Sequence, residues 1–511
     1  MNKNKILLIS PNLKGVKGGV NRIQPSLGIG YLAAVLEQKG HDVYVRDTAL
    51  EGYNREVPLE NKRMVQIGES EESIADYVSN LKPDIVGISV LFSNLAEHAH
   101  TIANIVKKID RSIKVILGGN HITNMVYDYI FAKTSGNEDY HSEENLLDLT
   151  DKNIDLAMIG ESDFQFPKLV EALAAGSDYR GIEGVVFRDG QKIMVAETKT
   201  SKRFDILKLP HPARHLMNME KYFKVGLFHS TQSHSKRVLN VMASRGCPEK
   251  CMFCTTPNMW GHNIRWRQPY DIYEEIKNGI EKYNIGEVQF EDDSLTANIS
   301  HLISLCELIK PLHIPWCTPN GIKINYHLGR QPEMFQRMKD AGCYQVTLGC
   351  ESGVQRVLDD IIKKNLRLEQ IQPAIRNAKK AGLIVHTFWI VGYPGETRGE
   401  MEETIKFAAQ SGADSFSVAI LTPLPGTPIY RKVMKENLWW DPGVTTNDII
   451  YRNSLVKVDG FRKHEEFEKW VEDKNFYLNS LLEKNDPQRS KEIITGRSMV
   501  CGHKFLKVKQ T

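Results

Sequence analysis

Short apolar runs alternate with amphipathic stretches in the first part of the chain. Nearly continuous apolar runs of strand length stand at 5–10, 41–45, 84–89, 114–119 and 155–161. Helical periodicity fills the gaps between them, and an Asp-Gly turn predicts a hairpin over 184–195. Apolar strands that alternate with helices predict an α/β fold, here a doubly wound, Rossmann-like parallel sheet with helices on both faces.

The same alternation returns in the second half of the chain. Six strands are predicted, with amphipathic helices between them, at 238–244, 287–292, 314–318, 344–349, 385–392 and 415–420. Six strand–helix repeats predict a partial (β/α)6 TIM-like barrel, in which functional residues lie at the carboxyl ends of the strands.

Changes in composition divide the chain into four segments. The first sheet occupies 1–190, a polar linker 191–238, the barrel 239–436, and a small, mostly helical cover 437–511. The linker histidines are not at metal-ligand spacing, and we expect surface or interface positions for them: His211, His215, His229 and His234.

Composition also limits the classes of partner. The 66 Lys and Arg residues nearly balance the 63 Asp and Glu residues, so no overall field attracts nucleic acid or an anionic membrane surface. The apolar run 6–9 is too short for a signal peptide, and no apolar stretch approaches the roughly 18 residues of a membrane helix. We therefore expect a cytoplasmic protein without a membrane span.

Three of the eight cysteines, Cys247, Cys251 and Cys254, stand at spacings that let one short loop turn all three thiols toward one centre. A disulfide would need an oxidising compartment, and a structural zinc site would need a fourth ligand, for which His262 has no usual spacing. An iron–sulfur cluster is normally held by four thiolates, so three would leave one iron without a protein ligand. The other cysteines are expected to be small buried hydrophobes: Cys306, Cys317, Cys343, Cys350 and Cys501.

Glycine and small polar residues follow the predicted strands. They are Gly28, Ser93, Gly118, Gly119, Gly160 and Glu161 in the first domain, and Asp292, Glu351, Gly392 and Pro394 in the barrel. Doubly wound sheets bind ligands beyond the carboxyl ends of their strands, and no Gly-x-Gly-x-x-Gly turn predicts a dinucleotide here. Asp292 and Asp293 have a second interpretation, as caps of the next turn. We expect His98 to cap its helix or face solvent, and His121 to form part of a loop wall.

The cysteine run, with Phe253 just before the last thiol, resembles the signature of the radical S-adenosylmethionine (SAM) superfamily. The first domain resembles the cobalamin-binding domain that precedes the barrel in one branch of that superfamily. The matching segments are Leu-Gly-x-Gly-Tyr-Leu-Ala-Ala at 27–34, Pro-Asp-Ile-Val-Gly-Ile-Ser at 83–89, Gly-Gly-x-His at 118–121 and Ile-Gly-Glu at 159–161. The resemblance implies a 4Fe-4S cluster on the three cysteines, SAM on its open iron, and cobalamin on the first domain.

The resemblance also implies roles for single residues. Asp292 is expected to meet the SAM amino group, Glu351 the SAM ribose, and the turn with Gly392 and Pro394 the adenine. The residues named at the strand ends of the first domain are expected to contact cobalamin. An Asp-x-His-x-x-Gly motif, which supplies a lower histidine ligand in many cobalamin domains, is missing. Base-off cobalamin without a histidine ligand is therefore implied.

Segments 218–223 and 351–358 are most similar to methylases of this branch that act on a phosphonate. The implied reaction is transfer of a methyl group from SAM, through methylcobalamin, to an unactivated carbon of a small-molecule substrate, after a 5'-deoxyadenosyl radical has removed hydrogen. The implied electron donor is an external flavodoxin- or ferredoxin-like protein. Two alternatives remain: a cyclase, oxidase or rearranging enzyme with the same cofactors, and a non-catalytic cobalamin sensor, against which the three-thiol loop argues.

Overall fold

The computed structural model describes residues 3–59, 64–135, 150–190, 192–196, 204–230, 232–450 and 453–488. The predictions for Cys501, for part of the linker (197–203) and for the end of the cover (489–511) lie outside these ranges. No helix among the described residues is long and apolar enough to cross a membrane.

The first sheet has seven strands, which run in the order β7-β6-β5-β4-β3-β1-β2. They are β1 Lys5–Ser10, β2 Asp42–Asp47, β3 Ile85–Ser89, β4 Lys114–Gly118, β5 Leu156–Met158, β6 Val185–Asp189 and β7 Lys192–Val195. The first five are parallel, and β6 and β7 form the predicted antiparallel hairpin at one edge.

Helices cover both faces of this sheet. They are α1 Leu27–Gln38, α2 Glu71–Leu81, α3 Ala96–Ile109, α4 Asn120–Ser135 and α5 Gln165–Ala175. Because side chains alternate along a strand, Leu7 and Ile9 join one core with α2 and α3, while Ile6 and Leu8 join another with α1 and α5. The prediction of a doubly wound sheet is therefore confirmed.

The second sheet has six parallel strands in sequence order. They are β8 Val238–Val241, β9 Glu287–Phe290, β10 Trp316–Ile322, β11 Cys343–Glu351, β12 Ile384–Val391 and β13 Ser415–Ile420. The helices after them are α7 Thr256–Trp260, α8 Pro269–Tyr283, α9 Ile299–Ile309, α10 Gln331–Asp340, α11 Ile371–Lys380, α12 Arg398–Gln410 and α13 Pro428–Lys435, while α6 Met219–Val225 precedes the sheet. The six predicted strand–helix repeats are confirmed.

Four strand ends of the second sheet differ from the prediction by two or more residues, and one of them is β9, which ends at Phe290. Strand β8 ends at Val241, and the cysteine loop is instead closed by a two-residue pair, Ser244–Arg245 against Arg265–Trp266. Strand β10 runs on to Ile322 through an irregular pairing with β11, so Asn320 lies within the strand rather than after it. Strand β11 ends at Glu351 itself.

The cover closes the free edge of the second sheet. Its helix α14, His464–Asn485, lies along β13. The Asn475 side chain accepts from the Val418 N–H and donates to the Val418 carbonyl, both at 2.8 Å, and Asn479 does the same for Phe416. Two amide side chains thus replace a missing neighbouring strand, which keeps the edge from pairing with another chain.

His98 differs from its prediction, because it is buried rather than exposed to solvent. Its Nδ1 accepts the Asn12 N–H at 2.9 Å, and burial lowers the pKa of His98 from 6.5 to about 4. The folded protein thus binds this proton less well than the unfolded chain does. The stability that depends on neutral His98 is complete above pH 6.5 and is lost as the pH falls toward 4.

We expect the free energy of unfolding to fall by about 2 kcal/mol more in the wild type than in His98→Gln between about pH 7.5 and pH 5. Glutamine can still accept the Asn12 N–H but does not titrate. Urea denaturation at the two pH values measures the difference. An equal loss in both proteins would contradict the neutral, buried state of His98.

Candidate functional site

The cysteine loop lies at the carboxyl end of β8. Gly246 has φ +113°, and a Cβ there would lie 2.4 Å from the Asn263 carbonyl oxygen, so the turn into Cys247 requires glycine. The Met252 N–H donates to the Ile362 carbonyl, which ties the loop to the segment after β11. Ser294 donates to the Cys247 sulfur at 3.4 Å.

The cysteine loop offers thiols that a metal centre could use. All three cysteines are free thiols, and burial raises the pKa of Cys251 to about 11 and of Cys254 to about 12. Such thiols would bind only after a metal cation has displaced their protons. Within the described ranges no three His, Cys, Asp or Glu side chains surround one ion position. A cluster would not require that arrangement, because each thiolate in a cluster binds its own iron.

The contact of Asp292 with SAM stays a prediction, and the structure shows a structural role for this residue. Its two oxygens accept from the Ala243 N–H at 3.0 Å and from the Ser244 hydroxyl at 2.5 Å, and burial raises its pKa to about 7. Asp292 therefore supports the start of the cysteine loop. Its neighbour Asp293 accepts from Thr256 at 3.2 Å and adds negative charge next to Cys254. Asp293 is thus the carboxylate of the pair whose charge acts on the Cys254 thiol.

Glu351 ends β11 with φ +65°, an uncommon backbone conformation for a residue with a side chain. It accepts from Lys364 at 2.8 Å, and both side chains are buried. Burial lowers the pKa of Lys364, but Glu351 and Cys251 outweigh that effect and leave the pKa raised. A charged lysine therefore lies beside the cysteine loop, and no sequence motif had indicated it.

Gly392 and Pro394 belong to a turn that packs against two other parts of the chain. A Cβ at Gly392 would lie 2.8 Å from the Phe467 ring of α14, so Gly392 permits the cover to approach. The Tyr393 ring lies 6.1 Å from the Phe253 ring of the cysteine loop. The Tyr393 hydroxyl is buried without a partner. An unpartnered buried hydroxyl near Glu351 and Cys251 fits a site for a polar ligand such as SAM.

The four predicted glycines of the first domain differ in their surroundings. Gly28 lies in the first turn of α1, Gly118 ends β4, and Gly119 and Gly160 follow strands. A Cβ at Gly28 or Gly160 would meet nothing within 4 Å, and one at Gly118 would meet only the Met158 carbonyl, at 3.6 Å. Gly119 has φ +101°, and a Cβ added there would lie 2.6 Å from the Val90 carbonyl oxygen. Three of the four predicted glycines thus leave room for a ligand, and Gly119 serves the turn.

Exposed apolar surface lies at the same edge, beyond β3. Leu91 is 50% exposed and Phe92 40% exposed, next to the buried Ser93. Ser93 pairs with His121 at 3.0 Å, and His121 is buried in the first turn of α4 rather than in a loop. A flat, largely apolar macrocycle would cover Leu91 and Phe92, so these residues fit the corrin of cobalamin.

Glu161 lies between the two sheets. It pairs with Arg265 and lies 3.5 Å from Arg245. Arg245 also forms a bidentate pair with Asp163, at 2.7 and 3.2 Å. Glu161 therefore docks the first domain on the cysteine loop, a role that its position after a strand did not indicate.

Two further contacts bring the predicted sites together. Asn120, directly after Gly119, donates to Thr255, directly after Cys254, at 3.4 Å. Asn258 donates to Asn124 at 2.8 Å. The carboxyl edge of the first sheet therefore meets the cysteine loop of the second.

Comparison with known proteins matches this architecture. A family model described as the radical SAM superfamily matches residues 241–408, and one described as a B12 binding domain matches residues 13–148. Cytidylyl-2-hydroxyethylphosphonate methyltransferase of Streptomyces wedmorensis is 30% identical over 489 residues, which cover 90% of this chain and 87% of that protein.

Two further proteins are similar to this chain over most of its length. The anaerobic magnesium-protoporphyrin IX monomethyl ester cyclase of Rubrivivax gelatinosus is 26% identical over 438 residues, 84% of this chain and 70% of the cyclase. The radical SAM methyltransferase TsrM of Kitasatospora setae, solved with cobalamin and a [4Fe-4S] cluster, gives a TM-score of 0.62 over 86% of this chain and 80% of its own. Its identity of 16% makes this a likeness of fold.

Both family models thus fall on the two sheets whose edges meet at the cysteine loop. The cofactors that this pairing of domains uses are a 4Fe-4S cluster, SAM and cobalamin. The chain belongs to the cobalamin-dependent radical SAM methyltransferases.

Proposed function

We propose that Cys247, Cys251 and Cys254 hold the cluster, and that the protein methylates an unactivated carbon of a small polar molecule. One observation carries the proposal: the hydrogen bond from Asn120 to Thr255 joins the residue after Gly119 to the residue after Cys254. The glycine edge of the first sheet and the thiols of the second therefore lie side by side. Transfer between two cofactors needs such proximity, because the reacting atoms must be held nearly in contact.

The bound cofactors supply a hydrogen-abstracting radical and the methyl group, and the protein supplies position. Asp292 fixes the backbone ahead of Cys247, and Asp293 adds a carboxylate near Cys254 that suits the SAM amino group. Glu351 and Lys364 provide one charge of each sign beside Cys251. Gly28, Gly118 and Gly160 leave room for cobalamin, and Leu91 and Phe92 support its ring.

The division of labour follows the segments of the chain. We assign cobalamin to 1–190, the interface to 191–238, the radical chemistry to 239–436 and closure to 437–511. An external one-electron donor of the flavodoxin or ferredoxin type completes the system. The first acceptor to test is cytidylyl-2-hydroxyethylphosphonate, the substrate named for the relative that is 30% identical.

Product analysis tests this proposal. The reconstituted, anaerobic enzyme is incubated with reductant, cobalamin, acceptor and SAM labelled in its methyl group. A methyltransferase yields S-adenosylhomocysteine, 5'-deoxyadenosine and a labelled product together. Formation of 5'-deoxyadenosine with an unlabelled, cyclised or oxidised product would identify the cyclase alternative instead. Formation of neither nucleoside product would identify a sensor.

A further inference from the structure

We infer that His229 and Glu291 bind a hydrogen-bond donor of the substrate, a hydroxyl or an amino group, on the inner face of the second sheet. The inference rests on the proposed function, since it concerns the acceptor of that reaction. The two residues come from different places in the sequence, one from the segment before β8 and the other from the end of β9. No motif had indicated either.

Glu291 follows two polar side chains of β9 that face the segment before β8. Glu287 and Gln289 share one face of β9, because side chains alternate along a strand. Glu291 lies one residue beyond the strand, and its bond to His229 places it next to the same segment. The first two are fully engaged: Glu287 with Tyr344 and the His234 backbone, and Gln289 with Ser233 and the Ser230 backbone. The segment before β8 thus covers Glu287 and Gln289, and His229 of the same segment contacts Glu291.

Glu291 keeps one oxygen unused. Its Oε2 accepts from His229 Nδ1 at 2.8 Å, and the side chain is only 8% exposed. Its Oε1 is buried without a partner. A buried carboxylate oxygen without a partner is costly, so its retention points to a ligand that supplies the missing donor.

Strand β12 of the same sheet carries accessible side chains on one face. The residues of β12 on the inner face, His386, Phe388 and Ile390, are only half-buried, while their neighbours on the other face are buried. His386 contacts the hydroxyls of Ser415 and Ser417 on β13, at 2.7 and 3.0 Å. The inner face is therefore both accessible and polar.

The donor and acceptor pattern selects the ligand. Nδ1 of His229 donates to Glu291 Oε2, because a carboxylate oxygen only accepts hydrogen bonds. Oε1 of Glu291 is then the buried acceptor that lacks a donor. A ligand hydroxyl or ammonium group can donate to it, whereas a phosphonate or carboxylate would be repelled by the charge of Glu291. Any anionic part of the substrate must lie elsewhere.

Paired acceptors test the inference. Each pair consists of a small polar molecule and the same molecule without its hydroxyl or amino group, beginning with cytidylyl-2-hydroxyethylphosphonate and cytidylyl-ethylphosphonate. We expect the wild type to prefer the donor-bearing member by about 10- to 100-fold in kcat/KM, because the analogue leaves the buried Oε1 of Glu291 unpaired. In His229→Gln and Glu291→Gln this preference should fall below about threefold, with iron and cobalamin content retained.

A matched control is available at the surface. His215 and Glu37 form the same kind of pair at 3.0 Å, and His215→Gln and Glu37→Gln should keep the wild-type preference. Glu291→Gln keeps the shape of the native residue. If His229→Gln loses its cofactors, the preference measured in Glu291→Gln alone tests the inference. Loss of cofactors in both variants would assign the pair to structure and overturn the inference.

The outcomes for the wild type separate this inference from the proposed function. Methylation of both members of every pair at equal rates would overturn the inference and leave the methyltransferase in place. Persistence of the preference in both variants would do the same. Failure to form a methylated product from any pair would overturn the proposed function, and the inference with it.

Discussion

Cys254→Ala is expected to abolish both the brown chromophore of the reconstituted protein and the formation of 5'-deoxyadenosine. The cysteine loop offers three thiols for a cluster, and removing one leaves two. Substitution of residues that only hydrogen-bond to metal ligands lowers metal affinity or activity by about 10- to 100-fold. Loss of a ligand itself should therefore reduce activity by more than about 100-fold. Iron and sulfide analysis, the visible absorption spectrum and nucleoside quantification measure these effects.

Cys306→Ala is the matched control. Cys306 is buried in α9 and takes no part in the cysteine loop. This change removes a small core side chain and should cost about 1 kcal/mol of stability while iron and activity stay unchanged. SAM cleavage that survived in Cys254→Ala would remove the cysteine loop from the mechanism.

Arg245→Met should lower the free energy of unfolding by about 3–5 kcal/mol, because it leaves the buried carboxylate of Asp163 without its partner. Arg245 is 2% exposed, holds Asp163 through two hydrogen bonds and lies 4.6 Å from the Trp260 ring. Since Arg245 joins the first domain to the cysteine loop, we also expect the two domains to unfold in separate steps. Urea denaturation followed by tryptophan fluorescence measures both effects.

Two controls separate the lost ion pair from lost packing. Asp163→Leu, added to Arg245→Met, should restore most of the stability, because an apolar pair can replace a buried ion pair. Arg337→Ala, in a half-exposed pair with Glu307, should cost less than about 1 kcal/mol. A similarly small loss in Arg245→Met would contradict the role of Arg245 in docking the domains.

The central strands of the first sheet could be predicted because they are buried on both faces and therefore appear as apolar runs. The cysteine spacing located the loop for a physical reason as well, since three thiols within eight residues can share one centre only through a tight turn. The end of β10 could not be predicted, because its irregular pairing with β11 extends the strand through Pro319 and Gly321.

The side-chain roles at strand ends were harder to predict. Strand β9 ends at Phe290, and beyond it alternation no longer tells which carboxylate faces the thiols. The chain turns Asp292 toward Ser244 and leaves Asp293 near Cys254. Glu161 and its partner Arg265 are about a hundred positions apart, and a pairing of that range leaves no local pattern in the sequence. The interface and the His229–Glu291 pair depend on such contacts.

The electron paramagnetic resonance spectrum of the reduced protein, with and without SAM, shows most directly whether one iron of the cluster is open. We expect the signal of a reduced 4Fe-4S cluster whose g values change when SAM is added, because one iron has no protein ligand and can bind it. A reconstituted protein without iron and sulfide, or a cluster signal that SAM leaves unchanged, would contradict this expectation.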